Sequence, residues 1–370
     1  MQQRVIISQD IEHDLAQAIA ETEHDRVFVL TDDITQECCL PKVAVLFAKH
    51  NATIITIRHD DTNKTLATLA DVWTALQRGG ATRHSLLVNL GGGMVTDLGG
   101  FAAATFKRGI NFINIPTTLL AMVDAAVGGK TGINFGGLKN EVGAFANARY
   151  VIVNTCFLDT LDTANLCSGY AEMLKHSLIS NAQMWAEHVN FDILQPDLAE
   201  LQRMVAASIA VKEHIVADDP HEHGIRKALN FGHTIGHALE EFSMQQPGGA
   251  VVSARLLQLA RARTAPKNTL LHGYAVAFGL IGELYISARK AGFPTARLHQ
   301  TARFIRENYG AMAFTCDDYP TLLNLMRHDK KNTSDTINFT LLHDIGDIRI
   351  NQTATDEEIR EALDFIREGY

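Results

Sequence analysis

The sequence contains no run of about 20 apolar residues, the length that a membrane-spanning helix needs, although 46% of its 370 residues are hydrophobic. It has no basic excess. Lys and Arg number 33 against 42 Asp and Glu, a formal charge of −9 with the cations spread along the chain. That balance argues against nucleic-acid binding through a basic face. It leaves room for a small anionic substrate, because a local cationic pocket can sit in an acidic protein. Cysteine is sparse: Cys38, Cys39, Cys156, Cys167 and Cys316, with no Cys-x-x-Cys pair. An odd count in a chain this long reads as reduced thiols in a cytosol. The opening MQQRVIISQDIEHD lacks the charged segment and apolar run of a secretory signal. The remaining composition is that of an ordinary soluble globular protein. The length exceeds the roughly 250–300 residues at which single cores stop growing, so two domains are expected.

Two periods alternate over the first 155 residues. β-rich runs fall at RVIIS (4–8), RVFVLTD (26–32), ATIITIR (52–58), SLLVNLGGG (85–93), INFINIPT (110–117) and YVIVNT (150–155). Helix-like segments such as LPKVAVLFAKH (40–50) and TLATLADVWTALQRG (65–79) lie between most of them. Strands alternating with helices predict a parallel sheet with helices on its faces. Such sheets bind ligands beyond the carboxyl ends of their strands. After about residue 160 helical periodicity dominates, with one late β-like run, TINFTLLHDIGDIRI (336–350). The segment 245–268 opens with Pro-Gly-Gly and carries Arg255, Arg261, Arg263 and Lys267 with no acid. It reads as a solvated insertion with a short amphipathic helix.

Four stretches could carry chemistry. NLGGGMVTDLGG (89–100) follows a strand and opens a helix, a place where glycines admit a diphosphate to a helix N-terminus. It does not fit G-x-G-x-x-G, and a tight strand–helix turn reads equally well. DAAVGGKTGINFGGLKN (124–140) offers Asp124, two lysines and Asn140 in a glycine-rich loop, suited to an anionic, hydroxylated ligand. It is not a Walker A motif, because Asp124 stands where the first glycine belongs. SGYAEMLKHSLI (168–179) sets Glu172 and Lys175 one helical turn apart. By spacing alone a solvated i,i+3 ion pair is the leading reading, ahead of a metal ligand or a buried pair. HGIRKALNFGHTIGHALE (223–240) sets Asn230, His233 and His237 on one face of a predicted helix, with Arg226 nearby. That polar stripe among Leu, Phe and Ile is a poor core pattern. Thr234 stands where H-E-x-x-H requires its glutamate, so metallopeptidase chemistry is excluded. A Glu and two His, with His272 in LLHGYAVAFG as a further ligand, would match an open catalytic zinc site.

Taken together, these stretches and MRHDKKN (326–332) resemble the 3-dehydroquinate synthase family of sugar-phosphate cyclases, in the family's order from residue 91 to 332. The resemblance implies an α/β N-terminal Rossmann-like parallel-sheet domain (1–158) that binds NAD. It implies a mostly α-helical metal- and substrate-binding domain (159–370), with the active site in the cleft between them. Glu172, His233 and His272 correspond to the ligands of a zinc or cobalt ion. His237 corresponds to a substrate contact, with Asp124, Lys130, Asn140, Lys175, Lys212, Arg226, Asn230 and Lys331 of the DKK run. Arg108 would reach a neighbouring subunit's substrate, implying a homodimer. NAD contacts fall on Asp32, Asp61, Lys64, Gly92, Gly93, Met94, Asp97, Thr117, Thr118, Lys130, Lys139, Phe157 and Thr160. Asp61 replaces a glutamate common in the family.

The implied reaction converts 3-deoxy-D-arabino-heptulosonate 7-phosphate to 3-dehydroquinate and phosphate, a step of the shikimate route, in the cytoplasm. NAD would act as a catalyst, regenerated in each turnover. One departure stands out: the family sets its third histidine much closer to the second, whereas here residues 238–271 intervene. A flexible extra loop costs little closure entropy, so His272 can still coordinate and the insertion should bulge at the surface. Three alternatives stay open. They are a cyclase making 2-deoxy-scyllo-inosose or a valiolone, a metal-dependent polyol dehydrogenase, and a non-catalytic NAD-binding regulator.

Overall fold

The computed structural model describes residues 3–245, 250–251, 270–328 and 336–368. The chain divides into two compact units. One comprises Met1–Leu161 with Asp197–Ile209, the other Asp162–Pro196 with Ala210–Tyr370.

The first unit is built on six parallel strands: β1 (Arg4–Ile7), β2 (Val27–Asp32), β3 (Thr53–Ile57), β4 (Leu86–Gly91), β5 (Asn111–Pro116) and β8 (Tyr150–Val153). Their order is β1-β8-β5-β4-β2-β3. Every residue of β2 and β4 is buried, as expected for central strands covered on both faces. The edge strand β3 buries only Ile55 and Ile57. Helices α1 (Ile11–Glu21), α2 (Asp33–Cys38), α3 (Ala44–Lys49), α4 (Leu66–Arg78) and α5 (Gly93–Thr105) lie between the strands. On α4 the spacing Leu69, Val72, Leu76 makes one buried stripe. Helix α5 is buried along most of its length, and a Cβ at Gly99 would collide with the side chain of Asn89 on β4. The order of strands reverses between β2 and β4, so the crevice beyond the ends of those two strands is the place for a ligand.

Residues 124–140, expected as a loop, are mostly ordered differently. Ala121–Ala125 forms a π-helical turn, and β6 (Lys130–Phe135) pairs antiparallel with β7 (Leu138–Phe145). Gly136 and Gly137, at φ +60° and +84°, close this hairpin. Two consecutive positive φ values make the tight turn whose twist matches paired strands, so the glycines mark a hairpin here.

The second unit is mostly helical: α6 (Thr163–Ser180), α7 (Ala182–Asn190), the later part of α8 (Leu198–Asp218), α9 (His233–Gln245), α10 (His272–Lys290), α11 (Thr295–Tyr309), α12 (Tyr319–Arg327) and α13 (Asp356–Glu368). Helix α10 is its axis and packs against α6, α9, α11 and α13. Strand β9 (Ala250–Val251) pairs antiparallel with β10 (Ala311–Met312). The late β-like run folds into two antiparallel strands, β11 (Asn338–Asp344) and β12 (Asp347–Thr353), turning at Gly346 with φ +82°. The rest of the 245–268 insertion, apart from Gln245, lies outside the described residues.

The predicted continuous helix through 223–240 is broken. Ile225–Asn230 is a 3-10 turn, Gly232 takes φ +81°, and α9 starts at His233. Asn230 therefore does not share a helical stripe with His233 and His237. The break follows from packing. A Cβ on Gly232 would lie 2.7 Å from Leu280, and one on Gly279 would collide with the Gly232 carbonyl. No described helix is long and apolar enough to cross a membrane.

Two predictions follow from this packing. Gly279→Ala should cost about 1–3 kcal/mol of unfolding free energy, the range for overpacking a close contact, as read from urea denaturation. All five cysteines are free thiols. Burial pushes Cys39 up to about 11 and Cys167 up to about 12. Because the thiolate is the reactive form, both should stay silent to a disulfide reagent at pH 8 in the folded protein, while exposed Cys316 reacts first.

Candidate active site

In the second unit three helices each supply one donor to a single point. Glu172 of α6, His233 at the start of α9 and His272 at the start of α10 hold their ligand atoms within 4.8 Å of one another. Glu172 is 0% exposed, and its Oε1 lies 3.5 Å from Nε2 of His233 and 3.5 Å from Nε2 of His272. Neither approach has the geometry of a hydrogen bond, and among the described residues Oε1 has no other hydrogen-bond partner. An orphaned buried carboxylate oxygen is costly. A shared cation removes the cost, since ligands at 2.0–2.2 Å from one tetrahedral centre lie about 3.3–3.6 Å apart.

The outer nitrogens support the same reading. Nδ1 of His233 faces the Phe231 carbonyl at 3.1 Å, and Nδ1 of His272 faces Oε2 of Glu240 at 2.9 Å. Both partners only accept, so Nδ1 carries a proton on each ring and Nε2 is the nitrogen left to face a cation. A carboxylate behind a ligating histidine fixes its tautomer and orientation. Glu240 itself is buried.

Burial opposes ionisation of Glu172, but Lys175 and His272 beside it prevail and hold it well below the usual carboxylate range. Burial likewise opposes charge on His272, yet Glu240 and Glu172 outweigh it and push the ring up to about 10. A divalent ion, bound by the neutral ring, would take the place of that proton. The Glu172–Lys175 ion pair is buried, with side chains 0% and 1% exposed, not solvated as its spacing suggested. Helix α6 is enclosed from Leu166 to Ile179, so no face of that turn meets water.

The other expected residues of this unit are near the same elements. His237 lies one turn beyond His233, its ring centroid 5.3 Å from that of His233 and 5.8 Å from that of His272. It is not among the three grouped donors. Lys212 on α8 is buried. Buried Arg226 donates from Nη1 to the Pro220 carbonyl at 2.5 Å. Its loop is shaped by Asp219, which accepts from the backbone of His223, Gly224 and Arg226 at 3.0, 2.7 and 3.1 Å. Asn230 donates to Oε1 of Glu222 at 2.7 Å. Lys331 lies outside the described residues. Sequence reasoning missed Glu222 and Glu240 as partners of Asn230 and His272. Only Glu240 carried a local signal, one turn beyond His237.

In the first unit the expected cofactor residues gather beyond the strand ends. Lys64 is buried and donates to Oδ2 of Asp97 and to Oδ1 of Asn140, each at 2.5 Å. Burial pushes the Asp97 carboxyl up in spite of Lys64. Lys139 lies 3.6 Å from Asp61, and Asn134 ties Asp61 to the Lys64 backbone. Asn140 takes φ +50°, braced by Asn134. Gly92, Gly93 and Met94 form the start of α5, which no side chain caps. A Cβ on Gly92 would lie 3.0 Å from Thr118. An uncapped helix N-terminus with bare backbone beside it fits the diphosphate of a dinucleotide. Thr117 and Thr118 follow β5, and Phe157 and Thr160 lie on the turn Thr155–Thr160. Asp32 ends β2 and caps α2 through Thr35. Asp124 sits in the π-helical turn and Lys130 opens β6. Exposed Arg108, at φ +68°, stands between Lys107 at +50° and Gly109 at +114°.

The class this defines is an α/β protein with a six-stranded parallel sheet and a mostly helical second unit in which a Glu and two His converge. A 2-deoxy-scyllo-inosose synthase complexed with carbaglucose-6-phosphate, NAD+ and Co2+ superposes with TM-score 0.82 at 22% identity, covering 100% of this chain and 96% of that one. A 2-epi-5-epi-valiolone synthase from Streptomyces hygroscopicus subsp. jinggangensis, with NAD+ and Zn2+ bound, gives 0.78 at 23% identity, covering 100% and 98%. Sequence is more specific. The N-terminal model of 3-dehydroquinate synthase matches residues 54–168 and the C-terminal model matches 169–332. The chain is 50% identical over 369 residues to a 3-dehydroquinate synthase of Parabacteroides distasonis, covering 100% of this chain and 99% of that one. The chain belongs to the 3-dehydroquinate synthase family.

If Glu240 orients His272, Glu240→Gln should weaken zinc binding about 10–100-fold, the usual effect of losing an outer partner. Competition with a chromophoric chelator reads this directly.

Proposed function

We infer that this protein converts 3-deoxy-D-arabino-heptulosonate 7-phosphate to 3-dehydroquinate and phosphate, with NAD as a recycled catalyst and one divalent ion. Membership of the family supports the reaction, and the convergence of Glu172, His233 and His272 supports the ion. On this reading the first unit binds NAD and the second binds the metal. Glu172, His233 and His272 hold the ion. Gly92, Gly93 and Met94 meet the NAD diphosphate, with Asp32, Asp61, Lys64, Asp97, Thr117, Thr118, Lys139, Phe157 and Thr160 around the rest of the cofactor.

When bound, NAD supplies reversible hydride transfer at carbon 5, and the ion stabilises negative charge on the adjacent substrate oxygens. The chain's own side chains do the remaining work. Lys130, Lys175, Lys212, Arg226 and Lys331 clamp the substrate's carboxylate and phosphate, the guanidinium by a two-pronged hydrogen bond. Asn140, Asn230 and Asp124 orient its hydroxyls. His237, beside the donors but not among them, contacts the substrate. Arg108 completes the site of a second copy, in a homodimer working in the cytoplasm. The leaving phosphate accepts the proton from the carbon next to the new ketone, so no dedicated base is needed.

The lysines, Arg226 and Asn230 suit a substrate that carries a carboxylate, which favours this reading over the other cyclases. Phosphate release should require the heptulosonate phosphate, NAD and metal together, with no net NADH. Net NADH would indicate a polyol dehydrogenase, and phosphate release surviving both NAD removal and metal stripping would sink the assignment. His233→Ala and His272→Ala should each abolish stoichiometric metal binding. His237→Ala should keep the metal and lose turnover.

A further inference from the structure

Helix α9 begins without a cap of its own. The residue before His233 is Gly232, which has no side chain and takes φ +81°. The cap comes instead from α10, about fifty residues later. Glu283, 0% exposed, accepts from the Gly232 N–H through Oε2 at 2.7 Å. Its Oε1 accepts from the Thr234 and Ile235 N–H groups at 3.0 and 3.3 Å. A buried carboxylate that collects three backbone donors at a helix start is strongly anchored by charge-assisted bonds and by the helix dipole.

The Gly232 bond has a further consequence. The Gly232 N–H and the Phe231 carbonyl belong to one planar peptide. Fixing the N–H fixes the direction of that carbonyl, which faces Nδ1 of His233 at 3.1 Å. One hydrogen-bonded relay therefore runs from Glu283 through the 231–232 peptide to the His233 ring. The same helix starts at His272, eleven residues earlier, about 16 Å along a rigid rod. So α10 carries one metal donor directly and sets the other by this clamp. The helices meet closely enough for it only because Gly232, Gly236 and Gly279 lack side chains.

We propose that Glu283 is a positioning residue of the metal centre, holding the first turn of α9 so that Nε2 of His233 faces the cation. This rests on the assignment of Glu172, His233 and His272 as ligands. Glu283→Gln sets an amide N–H against at least one of the three backbone donors. It should raise the zinc dissociation constant about 10–100-fold and alter the visible absorption of the cobalt-loaded protein, which reports the ligand field. Leu284→Ala, a buried neighbour on α10, should lower thermal stability and leave zinc affinity within twofold. If Glu283→Gln binds zinc and cobalt as the unmodified protein does while His233→Ala loses them, Glu283 is a helix cap only and the proposal fails. If His233→Ala keeps the metal, the ligand assignment fails first. Amide exchange tests the clamp in the unmodified protein. Gly232, Thr234 and Ile235 should stay protected after metal is stripped, and loss of that protection on stripping would overturn the proposal.

Discussion

The arrangement of the second unit depends on how closely three helices can approach. Helix α10 touches α6 at Gly273, where any Cβ would run into the Ser168 backbone, and touches α9 at Gly232, Gly236 and Gly279. The Ser168 hydroxyl accepts from the Gly273 N–H at 3.0 Å, tying α6 to the first turn of α10. Close packing of this kind is not continuously adjustable, because interiors have little void into which a helix can slide. With backbone against backbone, donors from three separate helices share one small volume. Ordinary side chains at those contacts would separate the helices, and Glu172 could no longer reach both imidazoles.

That proximity creates an electrostatic problem which the surrounding residues answer. A fully buried carboxylate must be compensated. On one oxygen Glu172 has the Lys175 ammonium, and on the other two imidazole nitrogens at 3.5 Å. Glu240 and the Phe231 carbonyl then decide which nitrogen of each ring faces inward. The first unit deals with burial in the same way: Lys64 lies between Asp97 and Asn140 and is itself almost fully enclosed. In both units a buried lysine stands beside a carboxylate, Lys175 with Glu172 and Lys64 with Asp97.

Much of this was legible in the residues. The six strands of the parallel sheet were marked by runs of Val, Ile and Leu, and α4, α6 and α10 by their periodicity. The family motifs pointed to Glu172, His233 and His272, and the structure brings those three side chains together. What misled was context. Gly136-Gly137 read as part of a loop because a glycine pair signals a turn without naming the strands that flank it. Glu172 and Lys175 read as solvated because i,i+3 spacing says nothing about which face of a helix is covered. The 223–240 helix read as continuous because nothing local reports that Leu280 occupies the space a Gly232 side chain would need.

The sequence by itself determined the elements and the kinds of chemistry available. Strand and helix periods, and the residue types at the carboxyl ends of the strands, are short-range properties of the chain. Only the tertiary structure decided which donors meet, which nitrogens face inward, and that Glu283 caps a helix about fifty residues earlier in the chain. Those outcomes depend on contacts between residues far apart in sequence, where a missing Cβ or a shared peptide plane sets the geometry and no local pattern records it.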